Sequence, residues 1–72
     1  AKTRVSRVVR ARQVAISIAR ELTDLSLVQI GKQFGGRDHS TILHACKKID
    51  RETESDASLK RKIQTIKSEL VS

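Results

Sequence analysis

The side chains best suited to chemistry form one polar cluster directly behind a double glycine. The cluster follows Gly35 and Gly36 and comprises Arg37, Asp38, His39, Ser40 and Thr41. An arginine can pair with guanine or a phosphate, an aspartate can accept from cytosine N4, and a threonine can contact a base edge or a thymine methyl. If a helix begins here, the backbone amides of residues 39–41 can also hold a phosphate oxygen. The pattern points to a DNA duplex met at the start of a helix.

Asp38 has two interpretations. A carboxylate beside DNA is repelled by the phosphates, so Asp38 is costly there unless it reads a base. Its alternative is structural, because aspartate is a favoured residue for capping the start of a helix. Both interpretations stay open on the sequence.

Other chemistry finds little support in the same residues. Adjacent Ser, His and Asp on one helical turn cannot form a catalytic relay without a pocket. His44 and Cys46 point to different faces of a helix, so together with His39 they make a poor metal site. Gly31-Lys32 is followed by Gln33, which does not complete a phosphate-binding loop. We therefore expect no enzyme activity, metal, cofactor or small-molecule substrate for these 72 residues, and we assign Cys46 to the core.

The charge of the chain favours an anionic partner. Lys and Arg number 15 against 8 Asp and Glu, a formal net charge of +7. The excess is concentrated in residues 1–20, which have six basic residues and no acidic one. Arginines on a flexible segment before a DNA-binding unit suit a narrow, electronegative minor groove. We predict a basic arm or loop over residues 1–9, with a helix start within Lys2 to Arg7 as the alternative that the β-branched valines leave open.

The chain has no proline. Apolar residues recur at helical spacing and predict a single stripe on the first helix, formed by Val5, Val8, Val9, Ala15, Ile16, Ala19 and Leu22. The first firm helix is predicted from about Arg10 to Leu22 and ends at Thr23 and Asp24. Ser26 followed by Gln29 matches a capping box and predicts a short helix over 27–34. Gly31 inside that helix suggests that the second helix passes close to it.

Gly35-Gly36 ends the short helix, and a new one is predicted from about residue 39. Its buried stripe is expected to comprise Ile42, Ala45, Cys46 and Ile49. Residues 52–58 read as a frayed end and a loop, after which Ser55 or Asp56 can cap a last helix. That helix has an apolar stripe of Leu59, Ile63, Ile66 and Leu70, which we expect to fold back on the core.

These elements predict an all-α fold: a small helical bundle of residues 10–72 that contains a helix-turn-helix and is preceded by the basic arm. An ordinary helical hairpin is the alternative that the spacing alone leaves open. No apolar run approaches the roughly 20 residues of a membrane span, so no membrane association is expected. The single cysteine fits a reducing compartment.

Four runs within residues 10–50 are characteristic: Ala11-Arg12-Gln13-Val14-Ala15, Arg20-Glu21-Leu22-Thr23-Asp24-Leu25-Ser26-Leu27, Ile30-Gly31, and above all Phe34-Gly35-Gly36-Arg37-Asp38-His39-Ser40-Thr41-Ile42-Leu43-His44-Ala45. In these runs the chain resembles the carboxy-terminal domain family of the bacterial replication initiator DnaA. The family's domain usually begins with two more helices, whereas this chain starts at the family's basic loop.

The resemblance implies binding to DnaA boxes, short asymmetric sites similar to TTATCCACA, by one monomer per box. It implies a bacterial cytoplasmic, nucleoid-associated protein that acts in the initiation of chromosome replication. It places Arg4 in the minor groove and lets Asp38, His39 and Ser40 read bases in the major groove. The remaining expected DNA contacts, to phosphates, nearby base edges or a thymine methyl, are Arg12, Gln13, Arg20, Val28, Arg37 and Thr41.

Two other classes of function are compatible with the sequence. One is a transcriptional repressor with a related helix-turn-helix, dimeric through the stripe from Leu59 to Leu70. The other is a protein-interaction module whose basic arm meets an acidic partner. Binding to labelled duplexes separates these three functions. A box-binding protein binds as a monomer to a box, a repressor binds as a dimer to a palindrome, and a protein-interaction module shows no preference for DNA.

Overall fold

The computed structural model describes residues 2–71, with side chains for residues 6–71. Its described part is built from four helices and contains no strand, which confirms the all-α prediction. The helices are α1 (Lys2–Leu22), α2 (Leu27–Gln33), α3 (His39–Ser55) and α4 (Ala57–Val71). None of these four helices, over the residues described, combines the length and hydrophobicity that a membrane-spanning segment requires.

Helix α3 contacts each of the other three helices and lies between two core clusters. The first core cluster joins α1, α2 and α3 and consists of Ile16, Ile30, Ile42, Ala45 and Cys46. The second core cluster joins α1, α3 and α4 and consists of Ile18, Ile49, Leu59 and Ile63. The predicted stripe of α3 is confirmed, because all four of its residues are buried, and so is the assignment of Cys46 to the core.

Helix α1 is buried on two faces, whereas its sequence pattern predicted only one. Ile16 lies in the first core cluster, whereas Ile18 lies in the second. The single predicted stripe is therefore wrong in part: it omitted Ile18 and included Val8 and Leu22, which are exposed. Two residues apart on a helix point in nearly opposite directions, so α1 can serve both clusters at once.

The start of α1 also differs from the prediction. Residues 2–9, expected as an arm or loop, are helical and continuous with the rest of α1. The segment has no proline or glycine, and its valines lower helix stability by only a few tenths of a kcal/mol each. With no breaker before Arg10, the helix extends to Lys2. A contact of residues 1–9 with DNA stays a prediction.

The helix-turn-helix is held by local bonds of the kind that the sequence predicted. The Ser26 hydroxyl accepts from the Gln29 amide at 3.1 Å, and the Gln29 side chain accepts from the Ser26 amide at 2.9 Å. At the other end, Phe34 caps α2, and Gly35 and Gly36 have φ of 89° and 74°. Left-handed backbone at two successive residues is natural for glycine and strained for other residues. The capping box and the glycine stop are thereby confirmed.

Gly31 is required for a reason slightly different from the expected one. A Cβ placed there would lie 2.1 Å from the carbonyl oxygen of Arg37, in the turn, while Ile42 of α3 stays at an ordinary 3.5 Å. The Arg37 amide also donates to the Gly31 carbonyl at 2.9 Å. The close approach is made by the turn, not by the second helix.

The prediction of a loop over residues 52–58 is wrong, because α3 continues to Ser55 and only Asp56 separates it from α4. Glu52 is held by an ion pair with Arg10 of α1 at 2.9 Å. The Thr53 hydroxyl donates to the Asp50 carbonyl, so the polar residues join the helix instead of breaking it. Asp56 then caps α4 by accepting from the Leu59 amide at 3.0 Å.

Helix α4 buries only the first half of its apolar stripe. Leu59 and Ile63 are buried, but Ile66 and Leu70 are exposed, so the expectation of one continuous buried stripe is wrong for these two. Beside them lies an open apolar groove of about 440 Å³ between α1 and α4. An ion pair between Lys67 and Glu21 links the far ends of the same two helices.

Candidate nucleic-acid interface

The start of α3 presents three polar side chains to solvent. Asp38, His39 and Ser40 are all exposed, and no other helix covers them. They follow a turn fixed by two left-handed glycines and by the contact of Gly31 with Arg37. The tip of α3 is thus held in one orientation relative to α2, as direct reading of base edges requires.

Asp38 occupies the capping position of α3, but its side chain forms no capping hydrogen bond. Its backbone is extended there (φ −64°, ψ 146°), and its Oδ1 atom lies 3.1 Å from Nδ1 of His39. The two side chains are 68% and 59% exposed. The sequence left capping and base reading as alternatives for Asp38, and in the structure its carboxylate does not cap α3.

A cleft of about 260 Å³ lies between α1 and the first turns of α3. It brings together four of the residues expected at a DNA contact, namely Arg12, Gln13, Arg37 and Thr41. Arg37 is half-buried, and its Nε atom is buried without a hydrogen-bond partner among the described residues. The cleft has guanidinium, amide and hydroxyl donors, a set suited to phosphate oxygens.

The same cleft includes His44 and Lys48 of α3, which were not among the expected contacts. A second cleft along α3 adds Lys47 and Arg51 to them, and neither cleft has an acidic residue in its lining. The signal was available in the sequence: Thr41, His44, Lys48 and Arg51 recur at i, i+3, i+7 and i+10, one face of a helix. The candidate interface therefore extends along α3 beyond its tip.

The structure does not bring the remaining expected residues into the cleft. Arg20 is exposed in the last turn of α1, and Val28 is exposed in the first turn of α2. Neither lines the cleft between α1 and α3. Arg4 lies near the start of α1, but its side chain is outside those that the structure describes.

Comparison with known proteins gives a consistent result. Residues 1–49 match the family described as the bacterial dnaA protein helix-turn-helix. Proteins named chromosomal replication initiator protein DnaA from Streptococcus pyogenes serotype M5 (strain Manfredo) and serotype M49 (strain NZ131) are each 54% identical over 70 residues. The matched segment covers 97% of this chain but only 16% of each of those relatives.

Proposed function

This chain belongs to the bacterial DnaA helix-turn-helix family, and from that premise we propose that it binds specific sites on double-stranded DNA in the initiation of chromosome replication. The sites are DnaA boxes, and one monomer binds each box. The tip of α3 enters the major groove, and the setting is the bacterial cytoplasm, at the nucleoid. The matched segment spans only 16% of the relatives that bear the initiator's name, so the role in initiation is part of the proposal.

The observation that carries the proposal is the exposed tip of α3. Asp38 offers carboxylate oxygens to a base, since its side chain is not engaged in capping. Base donors in the major groove, such as cytosine N4, are natural partners for a carboxylate. A carboxylate that only faced phosphates would weaken binding. Asp38, His39 and Ser40 are therefore the residues that distinguish one sequence from another.

The cleft between α1 and α3 supplies contacts that are independent of sequence. Arg12 and Gln13 approach from α1, while Arg37, Thr41 and Lys48 approach from the turn and α3. A phosphate bound there fixes the orientation of α3 in the groove and strengthens binding to any duplex. Arg20 adds a further backbone contact, and Val28 an apolar contact with a thymine methyl.

Arg4 is assigned to the minor groove. Support comes from the six basic residues within residues 1–20, a segment that contains no acidic residue. We expect Arg4→Ala to weaken box binding and to lower the slope of log affinity against log salt by about one. An unchanged affinity and slope would refute this contact.

A competition binding series tests the whole proposal. A labelled consensus box is competed by unlabelled box or by scrambled duplex, at two salt concentrations, and the stoichiometry is read from the size of the complex. The proposal predicts a one-to-one complex that prefers the box at both salts. A dimer that needs a palindrome would favour the repressor alternative, and equal competition by scrambled duplex would refute specific recognition.

A further inference from the structure

Arg10 of α1 pairs with Glu52 of α3 at the edge of the candidate interface. Its guanidinium donates from Nη1 to Oε2 of the carboxylate at 2.9 Å. Resting on the proposed function, we propose that a DNA phosphate competes with Glu52 for Arg10. Glu52 holds the guanidinium in the free protein, a phosphate holds it in the complex, and the exchange lowers the affinity for every duplex.

The position of Arg10 places it beside the residues assigned to phosphates. A further cleft of about 300 Å³ between α1 and α3 is lined by Ser6, Val9, Arg10, Gln13 and Lys48. Three of these residues, Val9, Gln13 and Lys48, also line the cleft described above, so the two clefts are adjacent. Among the described residues, neither lining includes an acidic one. Arg10 therefore extends the basic surface of the interface along α1.

Glu52 holds Arg10 from a position next to this surface. It follows Lys48 by four residues, about one turn of α3, so these two residues lie on the same side of the helix. Glu52 itself lines neither of the two clefts between α1 and α3. The carboxylate thus binds the guanidinium from beyond the end of the basic surface, and it is close enough to repel a phosphate bound there.

The energies favour an exchange of partners. The side chains of Arg10 and Glu52 are 45% and 29% exposed, and ion pairs so open to water stabilise a protein only slightly. A phosphate contact gains more, because it also releases counterions that are condensed on the duplex. Binding therefore breaks the ion pair, and the cost of breaking it reduces the observed affinity.

A double-mutant cycle on duplex binding tests the competition. Fluorescence anisotropy measures the affinity for the box and for scrambled duplex in wild type, Glu52→Gln, Arg10→Gln and the double variant. We expect Glu52→Gln to strengthen binding to both duplexes about threefold, the size of effect that an exposed ion pair allows. In the Arg10→Gln background the same change should strengthen binding much less, because no guanidinium remains to be released.

Glu54→Gln is the matched control for the change in net charge. Glu54 is also on α3, is exposed, and lines neither cleft between α1 and α3. Its substitution removes the same charge as Glu52→Gln but releases no guanidinium. We expect it to strengthen binding less than Glu52→Gln does, and by the same factor whether or not Arg10 is present.

Two results of the cycle would overturn the inference. An equal gain from Glu52→Gln with and without Arg10 would mean that Glu52 only repels the duplex. A larger gain without Arg10 would mean that Arg10 stays paired with Glu52 in the complex and shields the duplex from its charge.

The choice of duplexes separates this inference from the proposed function. A chain that prefers the box but shows no coupling between Arg10 and Glu52 would overturn the inference alone. A chain that binds box and scrambled duplex equally would refute specific recognition, while the cycle on either duplex would still decide which partner holds Arg10.

Discussion

The two core clusters of the molecule share α1 and α3 but differ in how tightly they hold the adjoining segments, which are the turn after α2 for the first cluster and the second half of α4 for the second. In the first core cluster, Ile30 and Ile42 are fully buried, and the adjoining turn fits against Gly31 without room for a methyl group. In the second, Leu59 and Ile63 border an open groove, and the apolar residues further along α4 are exposed.

The more tightly packed cluster is the one that lies next to the candidate interface. The first turn of α3 contributes Ile42 to the first core cluster, so we expect a shift in that cluster to change the orientation of Asp38 and His39. The second core cluster holds α4, whose residues line neither of the two clefts along α3. We therefore predict that the first cluster affects recognition as well as stability, whereas the second contributes mainly stability.

The largest expected effect comes from filling the space at Gly31. Because its Cβ would lie 2.1 Å from the Arg37 carbonyl, Gly31→Ala must displace the turn, at a cost of at least about 3 kcal/mol in unfolding free energy. Urea unfolding followed by circular dichroism measures the loss. Gly36→Ala is the matched control: its site is open, so it should cost only the strain of a left-handed alanine, about 1–2 kcal/mol. Equal losses would contradict the role of the close approach.

Truncation of one isoleucine in each cluster compares the two cores directly. Ile30→Ala leaves a cavity in a closed site and should cost about 3 kcal/mol, while Ile63→Ala, beside the groove, should cost about 2 kcal/mol. Measured at low temperature, where the folded fraction is highest, Ile63→Ala should retain the wild-type ratio of box to scrambled affinity. Ile30→Ala should reduce that ratio. A reduced ratio in Ile63→Ala with a retained ratio in Ile30→Ala would show that the second cluster, not the first, affects recognition.

Two substitutions on α3 sharpen the contrast between reading and anchoring. Asp38→Ala should weaken box binding by about 2 kcal/mol and binding to scrambled duplex much less, because it removes a base contact. Lys48→Ala, in the cleft, should weaken both by a similar amount and flatten the salt dependence. Fluorescence anisotropy on both duplexes at two salt concentrations measures these changes. Equal losses in Asp38→Ala on the two duplexes would mean that Asp38 acts on the backbone only.

The smallest effect separates the two capping positions. Ser26→Ala removes a formed capping box and should lower the unfolding free energy by about 1 kcal/mol without changing sequence preference. Asp38→Ala removes no capping bond, so its unfolding free energy should stay within about 0.5 kcal/mol of wild type. Thermal unfolding of both variants provides the comparison, and a similar fall in Asp38→Ala would show that Asp38 stabilises the helix start.

The sequence predicted the helix-turn-helix well because its signals are local. The capping box at Ser26 and Gln29, the glycine stop and the stripe of α3 each depend on residues within a few positions of one another. The same holds for the exposed polar cluster, whose position follows from the place where α3 begins. The capping of α4 by Asp56 was also among the expected alternatives.

The predictions from the sequence were wrong where tertiary contacts determine the structure. Residues 52–55 join α3 while Glu52 pairs with Arg10, which lies 42 positions away in the chain. Ile18 is buried because α1 lies between two clusters, a fact that one stripe cannot reveal. The cleft that adds Lys48 to the interface exists only once α1 has packed on α3.

The burial of Cys46 gives the first core cluster a chemical reporter of its own. The chain has no other cysteine, and this thiol is enclosed by the residues that support the tip of α3. A thiol reagent can reach the sulfur only while that cluster is open, so the rate of alkylation measures the free energy of local opening. Cys46 does not line the groove between α1 and α4, so we expect a fluctuation of that groove to leave the thiol covered. Opening of the first core cluster, next to the tip of α3, can therefore be measured without an introduced label.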